Sequence, residues 1–258
     1  MLFITEYLIP FIFGTIIGSF LNVCIFRIPK SESIIFPSSY CPNCDQPIGF
    51  YDNIPIVSFL VLGGKCRRCR NSISARYFFV ECIAGLFSLT LFLKFGLSLN
   101  YFVYLAFCYA LLVITFIDLD HQIIPDVISL PGIVVGVALS FLLPDITFLD
   151  SLAGSVAGGG ALLCIAVLYS LLTKREGMGA GDIKLLAMIG AFLGLKAVIM
   201  TAFLGSFIGS IIGITVMLKE KRDSRYEIPF GPFLAIGAFI SLFWGNTIME
   251  YYLYGVRF

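Results

Sequence analysis

Long apolar runs alternate with short polar segments along this chain: Tyr7 to Phe26, Phe78 to Leu97, Tyr101 to Ile117, Val127 to Leu143, Leu149 to Leu172, Ile183 to Leu195, Ala197 to Leu218 and Phe230 to Tyr252. Most are close to the roughly 17–25 residues that a helix needs to cross a bilayer. The pattern predicts an all-α polytopic membrane protein of about eight transmembrane helices. The run from Ile183 to Leu195 is short, which suits a tilted, half-buried or interior helix. One sizeable polar insertion interrupts the apolar pattern, rich in turn-forming residues. It divides the chain into a first transmembrane helix (1–26), a compact cytoplasmic domain (27–77) and a helical membrane domain (78–258). Within the last, Gly154 and Gly158, and again Gly205, Gly209 and Gly213, recur at small-xxx-small spacing, a helix-packing device.

Composition strengthens this picture. With 59% apolar and 13% charged residues, a water-soluble globule would lack polar groups to cover its surface. The net charge of +1 says little, but its distribution says more. Fourteen of the seventeen Lys and Arg residues fall in three segments: Arg27 to Arg76, then Lys174, Arg175 and Lys184, then Lys219, Lys221, Arg222 and Arg225. Basic loops stay in the cytoplasm. Eight crossings that begin inward put all three segments there and leave both termini outside. The first run lacks a basic n-region and a small-residue cleavage site, so it reads as a retained helix rather than a signal peptide.

The polar insertion carries Cys41-Pro42-Asn43-Cys44 and Cys66-Arg67-Arg68-Cys69, two C-x-x-C knuckles separated by 21 residues. Two facing knuckles complete a closed tetrahedral site, a zinc-ribbon-like arrangement with structural Zn2+ on Cys41, Cys44, Cys66 and Cys69. A cytoplasmic setting keeps thiols reduced, and about 50 residues bury too little apolar surface to fold securely without such a staple. A redox dithiol and an empty remnant of a metal site are the alternatives. Lys65, Arg67, Arg68 and Arg70 beside the second knuckle fit a domain tethered next to anionic lipid better than a nucleic-acid surface. The remaining cysteines, Cys24, Cys82, Cys108 and Cys164, read as small core hydrophobes.

Carboxylates at a membrane edge need a reason. Asp126 follows Pro125 at a helix start, where capping accounts for it. Asp118 ends an apolar helix, where the dipole disfavours negative charge, so capping does not. Asp120 has a similar setting but is wetter. Asp182 begins a helix, and an N-cap role competes with a functional one; the flanking Gly179 and Gly181 would let an extended substrate backbone approach. The topology puts Asp118 and Asp182 at one boundary. Two neighbouring carboxylates cannot both ionise easily and so form an acid and a base that activate water against a peptide carbonyl. Lys184 either biases Asp182 or snorkels to the interface. His121 reads as an interfacial polar residue.

At these residues the sequence resembles the prepilin peptidase family, the bifunctional leader peptidases of type IV pili and type II secretion. The ordered matches are Gly18-Ser19-Phe20-Leu21-Asn22-Val23 through Arg27-Ile28-Pro29, the cysteine pairs, Asn53-Ile54-Pro55, Gly63-Gly64-Lys65-Cys66, Arg76-Tyr77, Glu81, Ile117-Asp118 through Pro125-Asp126, and the G-x-G-D motif Gly179-Ala180-Gly181-Asp182. Phe78 departs from the family, which often has proline there. The resemblance implies that Asp118 and Asp182 are catalytic in an aspartic endopeptidase of the bacterial cytoplasmic (inner) membrane. It also implies cleavage of the short basic leader of a prepilin or pseudopilin, followed by N-methylation of the new terminus from S-adenosylmethionine. Gly64 corresponds to a position associated with methyl transfer, and Glu81 is a candidate base, or else an interfacial partner of Arg76. A peptidase without methyl transfer, and a cation channel or transporter, are the rival readings; the latter predicts polar groups inside the spans, which are nearly free of them. The oligomeric state is open.

Overall fold

The computed structural model describes residues 2–174, 179–220 and 229–254. Arg175, Gly177, Met178, Lys221, Arg222 and Arg225 lie outside the described residues. Among the described residues the chain forms eight α-helices and no strand: α1 (Leu2–Arg27), α2 (Val57–Val61), α3 (Ala75–Phe95), α4 (Leu99–His121), α5 (Asp126–Leu139), α6 (Phe148–Thr173), α7 (Ala180–Glu220) and α8 (Gly231–Tyr254). Five segments are long and apolar enough to cross a membrane: Glu6–Lys30, Ala75–Phe95, Leu99–His121, Phe148–Thr173 and Ala180–Lys219. Two further apolar helices, Asp126–Leu139 and Gly231–Gly245, are shorter. Apolar side chains such as Val156, Leu163 and Leu172 stand exposed on α6, as a multi-pass membrane protein requires and water would not tolerate.

The difference between eight expected runs and five long spans has two physical sources. First, α5 has only 14 residues, a rise of about 21 Å. Second, the runs Ile183 to Leu195 and Ala197 to Leu218 are joined in α7, across a break at Gly194 with φ 81° and ψ 179°. A broken helix strands backbone groups that apolar surroundings cannot satisfy. Two side chains from the first turn of α6 satisfy them. Asp150 Oδ1 accepts the N–H of Leu195 at 3.2 Å, and Ser151 Oγ donates to the carbonyl of Ala191 at 2.6 Å. Thr147, the N-cap of α6, accepts the Asp150 N–H at 3.2 Å and fixes that turn in place.

The chain folds as two compact units, Met1–Val113 and Ile114–Phe258. In the first, α1 packs against α3, and the cysteine-rich segment adjoins them. The Asn22 amide donates to the carbonyl of Tyr77 at 3.1 Å, and Ser88 Oγ donates to that of Pro10 at 2.6 Å. In the second, the first half of α7 is the interior helix: Leu185, Leu186, Met188, Ile189 and Ala191 are all buried. Helix α6 comes close enough that a Cβ on Gly154 would lie 2.6 Å from the carbonyl oxygen of Gly190, and one on Gly158 2.6 Å from that of Leu186. Beyond the break, α7 packs on α8, with Gly205 and Gly209 facing Leu234 and Phe233. The small-xxx-small glycines at these four positions are therefore packing positions.

Two expectations need correction. Cys24 and Cys108 are buried, but Cys164 is exposed on α6 and is not a core residue. The cations of the second knuckle are partly used within their own domain. Arg67 makes a bidentate pair with Asp52 at 2.7–2.9 Å, and Arg68 donates to Gln46 Oε1 at 2.7 Å, which leaves fewer charges for lipid.

The α6–α7 contact generates a prediction. Gly154→Val would drive a side chain into the Gly190 backbone and lower stability by about 1–3 kcal/mol. Gly160→Val points into open space and is expected to leave the thermal midpoint in detergent nearly unchanged. Equal midpoints for the two variants would contradict the packing described.

Candidate active site and metal centre

The two cysteine knuckles are built alike. In the first, Cys41 N–H donates to Gln46 O at 3.0 Å and Asp45 N–H to Cys41 O at 2.9 Å. In the second, Cys66 N–H donates to Asn71 O at 2.9 Å and Arg70 N–H to Cys66 O at 3.0 Å. Asp45 and Arg70, which turn each chain, both adopt positive φ, 52° and 61°. Each knuckle closes with one antiparallel bridge, Tyr40 with Pro47 and Lys65 with Ser72. The sulfurs of Cys41, Cys44, Cys66 and Cys69 lie within 4.8 Å of one another, with Cys41 and Cys69 at 3.9 Å. A zinc ion bonded to four sulfurs at about 2.3 Å sets their separations near 3.8 Å, so the donor set fits Zn2+ in number, type and spacing. Its electrostatics agree. The Gln46 backbone favours the Cys44 thiolate, but loss of water and the adjoining Cys41 and Cys69 sulfurs carry that thiol up to about 11. Backbone groups of Cys69 and Arg68 bring Cys66 down to about 7.

Gly64 lies in the turn after α2 with φ 66°, and a Cβ there would meet the Phe59 ring at 3.1 Å. That ring packs on Phe78 of α3 at 5.5 Å between centroids. Gly64 thus has a backbone reason to be glycine. Glu81 on α3 is buried, accepts the N–H of Ile56 at 2.7 Å, and hydrogen-bonds Ser19 of α1.

In the second unit Asp118 occupies the last turn of α4, where it is 5% exposed. Its Oδ2 accepts the N–H of Gly231, the first residue of α8, at 2.9 Å. A Cβ on Gly231 would stand 2.6 Å from that oxygen, so only glycine lets the carboxylate reach the backbone. Asp182 lies in the first turn of α7, half-buried. The approach is permitted at Gly181, where a Cβ would strike Ile124 of the α4–α5 turn at 2.8 Å. Ile124 lies against both Gly181, beside Asp182, and Gly231, the partner of Asp118, which brings the two carboxylates into one neighbourhood. Among the described residues, the Asp182 carboxylate has no hydrogen-bond donor.

The neighbouring residues take other places. Asp126 is in the first turn of α5, as capping requires, and pairs with Lys184 Nζ at 2.7 and 2.8 Å. Lys184 is therefore committed to Asp126 rather than to Asp182. Asp120 and His121 are exposed. Sequence reasoning missed Gly231 and Asp150. Pro229-Phe230-Gly231-Pro232 reads as a helix start, but nothing in it signals Asp118, 113 residues away.

Residues 12–95 match the Bacterial Peptidase A24 N-terminal domain, and residues 105–214 match the Type IV leader peptidase family. A prepilin leader peptidase/N-methyltransferase of Stutzerimonas stutzeri is 37% identical over 95% of this chain and 93% of its own length. Its namesake from Pseudomonas aeruginosa is 36% identical over 93% and 91%, and that of Legionella pneumophila 33% over 96% and 94%. The chain belongs to the type IV leader peptidase family. No solved structure matches it. In family terms, the four clustered cysteines fall in the first matched region and both aspartates in the second. Gly231 lies beyond either.

The exposed Lys184–Asp126 pair generates a modest prediction. Lys184→Met is expected to lower stability by less than about 1 kcal/mol, since exposed pairs contribute little. Chemical denaturation in mild detergent measures it, and a loss of several kcal/mol would contradict the exposure of the pair.

Proposed function

We propose that this protein cleaves the basic leader of a prepilin or pseudopilin with Asp118 and Asp182 and then methylates the new N-terminus. The observation that carries this reading is Asp182: a carboxylate set against a second carboxylate, with no donor of its own among the described residues. A structural carboxylate is normally hydrogen-bonded; one held against a like charge is arranged to exchange protons. Two such carboxylates share a proton. The ionised member takes a proton from water, whose oxygen adds to the peptide carbonyl while the protonated member donates to the carbonyl oxygen. Collapse breaks the C–N bond, and the proton passes to the leaving amine. The products are a leader carboxylate and a free amine. Gly231 holds Asp118 in position through its backbone N–H.

The methyl step uses S-adenosylmethionine. The neutral amine forms a C–N bond to the methyl carbon as the S–C bond breaks, so the sulfonium becomes a thioether and the amine gives up a proton. Glu81 is our candidate base, and Gly64 acts by shaping the turn before Cys66. Zn2+ on Cys41, Cys44, Cys66 and Cys69 would hold the two knuckles together. Dividing α7 at Gly194 and counting the two shorter apolar helices gives eight crossings, with the basic segments cytoplasmic and both termini outside. This suits a bacterial inner-membrane enzyme whose substrate is anchored by its own apolar helix.

Incubation of the purified protein in detergent with a prepilin, with and without S-adenosylmethionine, tests the reading by product mass. Asp118→Asn and Asp182→Asn are expected to lose at least about a hundredfold in cleavage while keeping their thermal midpoints. Normal cleavage by either variant would sink the assignment. The wild-type product is expected to gain one methyl only when the donor is present. Metal analysis is expected to find one zinc per chain, abolished in the Cys41→Ser, Cys44→Ser double variant; undiminished zinc there would refute the cluster as its site.

A further inference from the structure

On leaving α1 the chain turns back on itself. A single 3₁₀ turn, Ile28–Lys30, ends at Ser31 with φ 57°, and the N–H groups of Ser31 and Glu32 return to the carbonyls of Ile28 and Arg27 at 3.0 and 3.1 Å. The reversal brings Ile34 and Ile35 to the side of α1, where they line one cavity with Ile16, Phe20 and Val23. Those three belong to the membrane span Glu6–Lys30. Counted back from Arg27, they lie about 6–17 Å along the helix, toward the bilayer interior. The tip of the loop is apolar and open, with Ile35 71% and Phe36 77% exposed. Its shoulders are polar: Lys30 and Glu32 precede it and Ser38 follows, all exposed. Ile16 and Phe20 are also exposed on α1, so the apolar surface of the tip continues that of a span.

Irregular backbone enters apolar surroundings only where its polar groups are met from within the protein. This loop is equipped for that. Arg27, 4% exposed, donates from Nη1 to Ser33 O at 2.9 Å and from Nη2 to Pro37 O at 2.8 Å and Ser38 O at 3.5 Å. Its guanidinium thus gathers carbonyls from both flanks of the tip. Ser33 Oγ accepts the N–H groups of Ile35 and Phe36, each at 3.3 Å, and Pro37 has no N–H to satisfy. A loop that stood in water would have its backbone hydrated and no need of a buried cation, which is costly to desolvate. We propose that residues 33–38 form a prong that inserts Ile35 and Phe36 into the boundary between headgroups and acyl chains, in the leaflet at the Arg27 end of α1. The partner is lipid, because the tip extends the apolar surface of a span and its polar shoulders mark the headgroup level. The depth is interfacial, where water still reaches the remaining backbone groups of the loop. The cysteine-rich segment is thereby tied to the bilayer at a point of its own, besides α1 and α3, and this holds independently of either enzymatic activity.

Fluorescence of the full chain in phosphatidylcholine nanodiscs tests it. Trp244 is the sole tryptophan, so Trp244→Phe combined with Phe36→Trp leaves one probe, at the tip. Its emission is expected to be lost most to lipids brominated near the carbonyl end of their chains, at the roughly 5–10 Å depth of an interfacial insertion. Bromines at the chain ends are expected to quench less, and acrylamide in the water least. Quenching by acrylamide but not by lipid would put the tip in water and overturn the proposal. Quenching by neither would mean that protein covers the tip, and strongest quenching by chain-end bromines would mean a deeper span; both outcomes would also overturn it. Adding Arg27→Met to the probe protein removes the donors to the three carbonyls and is expected to exchange lipid quenching for acrylamide quenching. Ser33→Ala provides a milder arm, read with the thermal midpoint in case Arg27→Met is misfolded: it releases the two N–H groups and is expected to shift the probe in the same direction by less. Unchanged quenching in both variants would overturn the part assigned to Arg27 and Ser33.

Discussion

A carboxylate placed among apolar side chains has to find a donor, and in this protein the donor is repeatedly the backbone N–H at the start of another helical segment. Glu81 takes that of Ile56, just before α2; Asp118 takes that of Gly231, at the head of α8; Asp150 takes that of Leu195, where α7 resumes after its break. Each bond satisfies two groups that would otherwise be stranded: the side-chain anion and an orphan amide of a helix start. Each also joins elements far apart in the chain. Asp182 departs from the pattern, with another carboxylate as its neighbour and no described donor.

The second unit depends on the break in α7. An uninterrupted helix of 41 residues would rise about 60 Å, twice the thickness of a hydrocarbon core. Gly194 divides it, and α6 supplies both the carboxylate and the hydroxyl that repair the break. The same α6 approaches so closely at Gly154 and Gly158 that backbone lies on backbone. The interior half of α7 is thereby clamped along its length, and its first turn, with Asp182, is held near the end of α4. The positioning is achieved by close packing rather than by charge, since the nearby Lys184–Asp126 pair is exposed.

Much of this was legible in the residues. Asp118 stood out because a negative charge at a helix C-terminus opposes the dipole, whereas Asp126 was already explained by its place after Pro125. The knuckles were legible because C-x-x-C spacing makes two thiolates share a turn. What escaped was pairing over long separations. Lys184 could be read against Asp182, two residues away, but not against Asp126, and no local rule links Gly231 to Asp118. The boundary between the runs Ile183 to Leu195 and Ala197 to Leu218 falls within a few residues of the break at Gly194, but the side chains that satisfy the backbone there belong to α6 and left no local sign. Cys164 was misplaced because an apolar run does not reveal which side meets lipid.

The two cysteine knuckles are related by a constant offset of 25 residues: Cys41 to Cys66, Cys44 to Cys69, Asp45 to Arg70, Gln46 to Asn71, with the same hydrogen bonds in each. Such a pair is close to a structural duplicate, so the metal would see two interchangeable clips. The asymmetry lies in what is strung between them. The intervening strap carries Ile56, whose N–H bonds the buried Glu81 of α3. A metal at the clips would act as the buckle of that strap, fixing where its two ends lie.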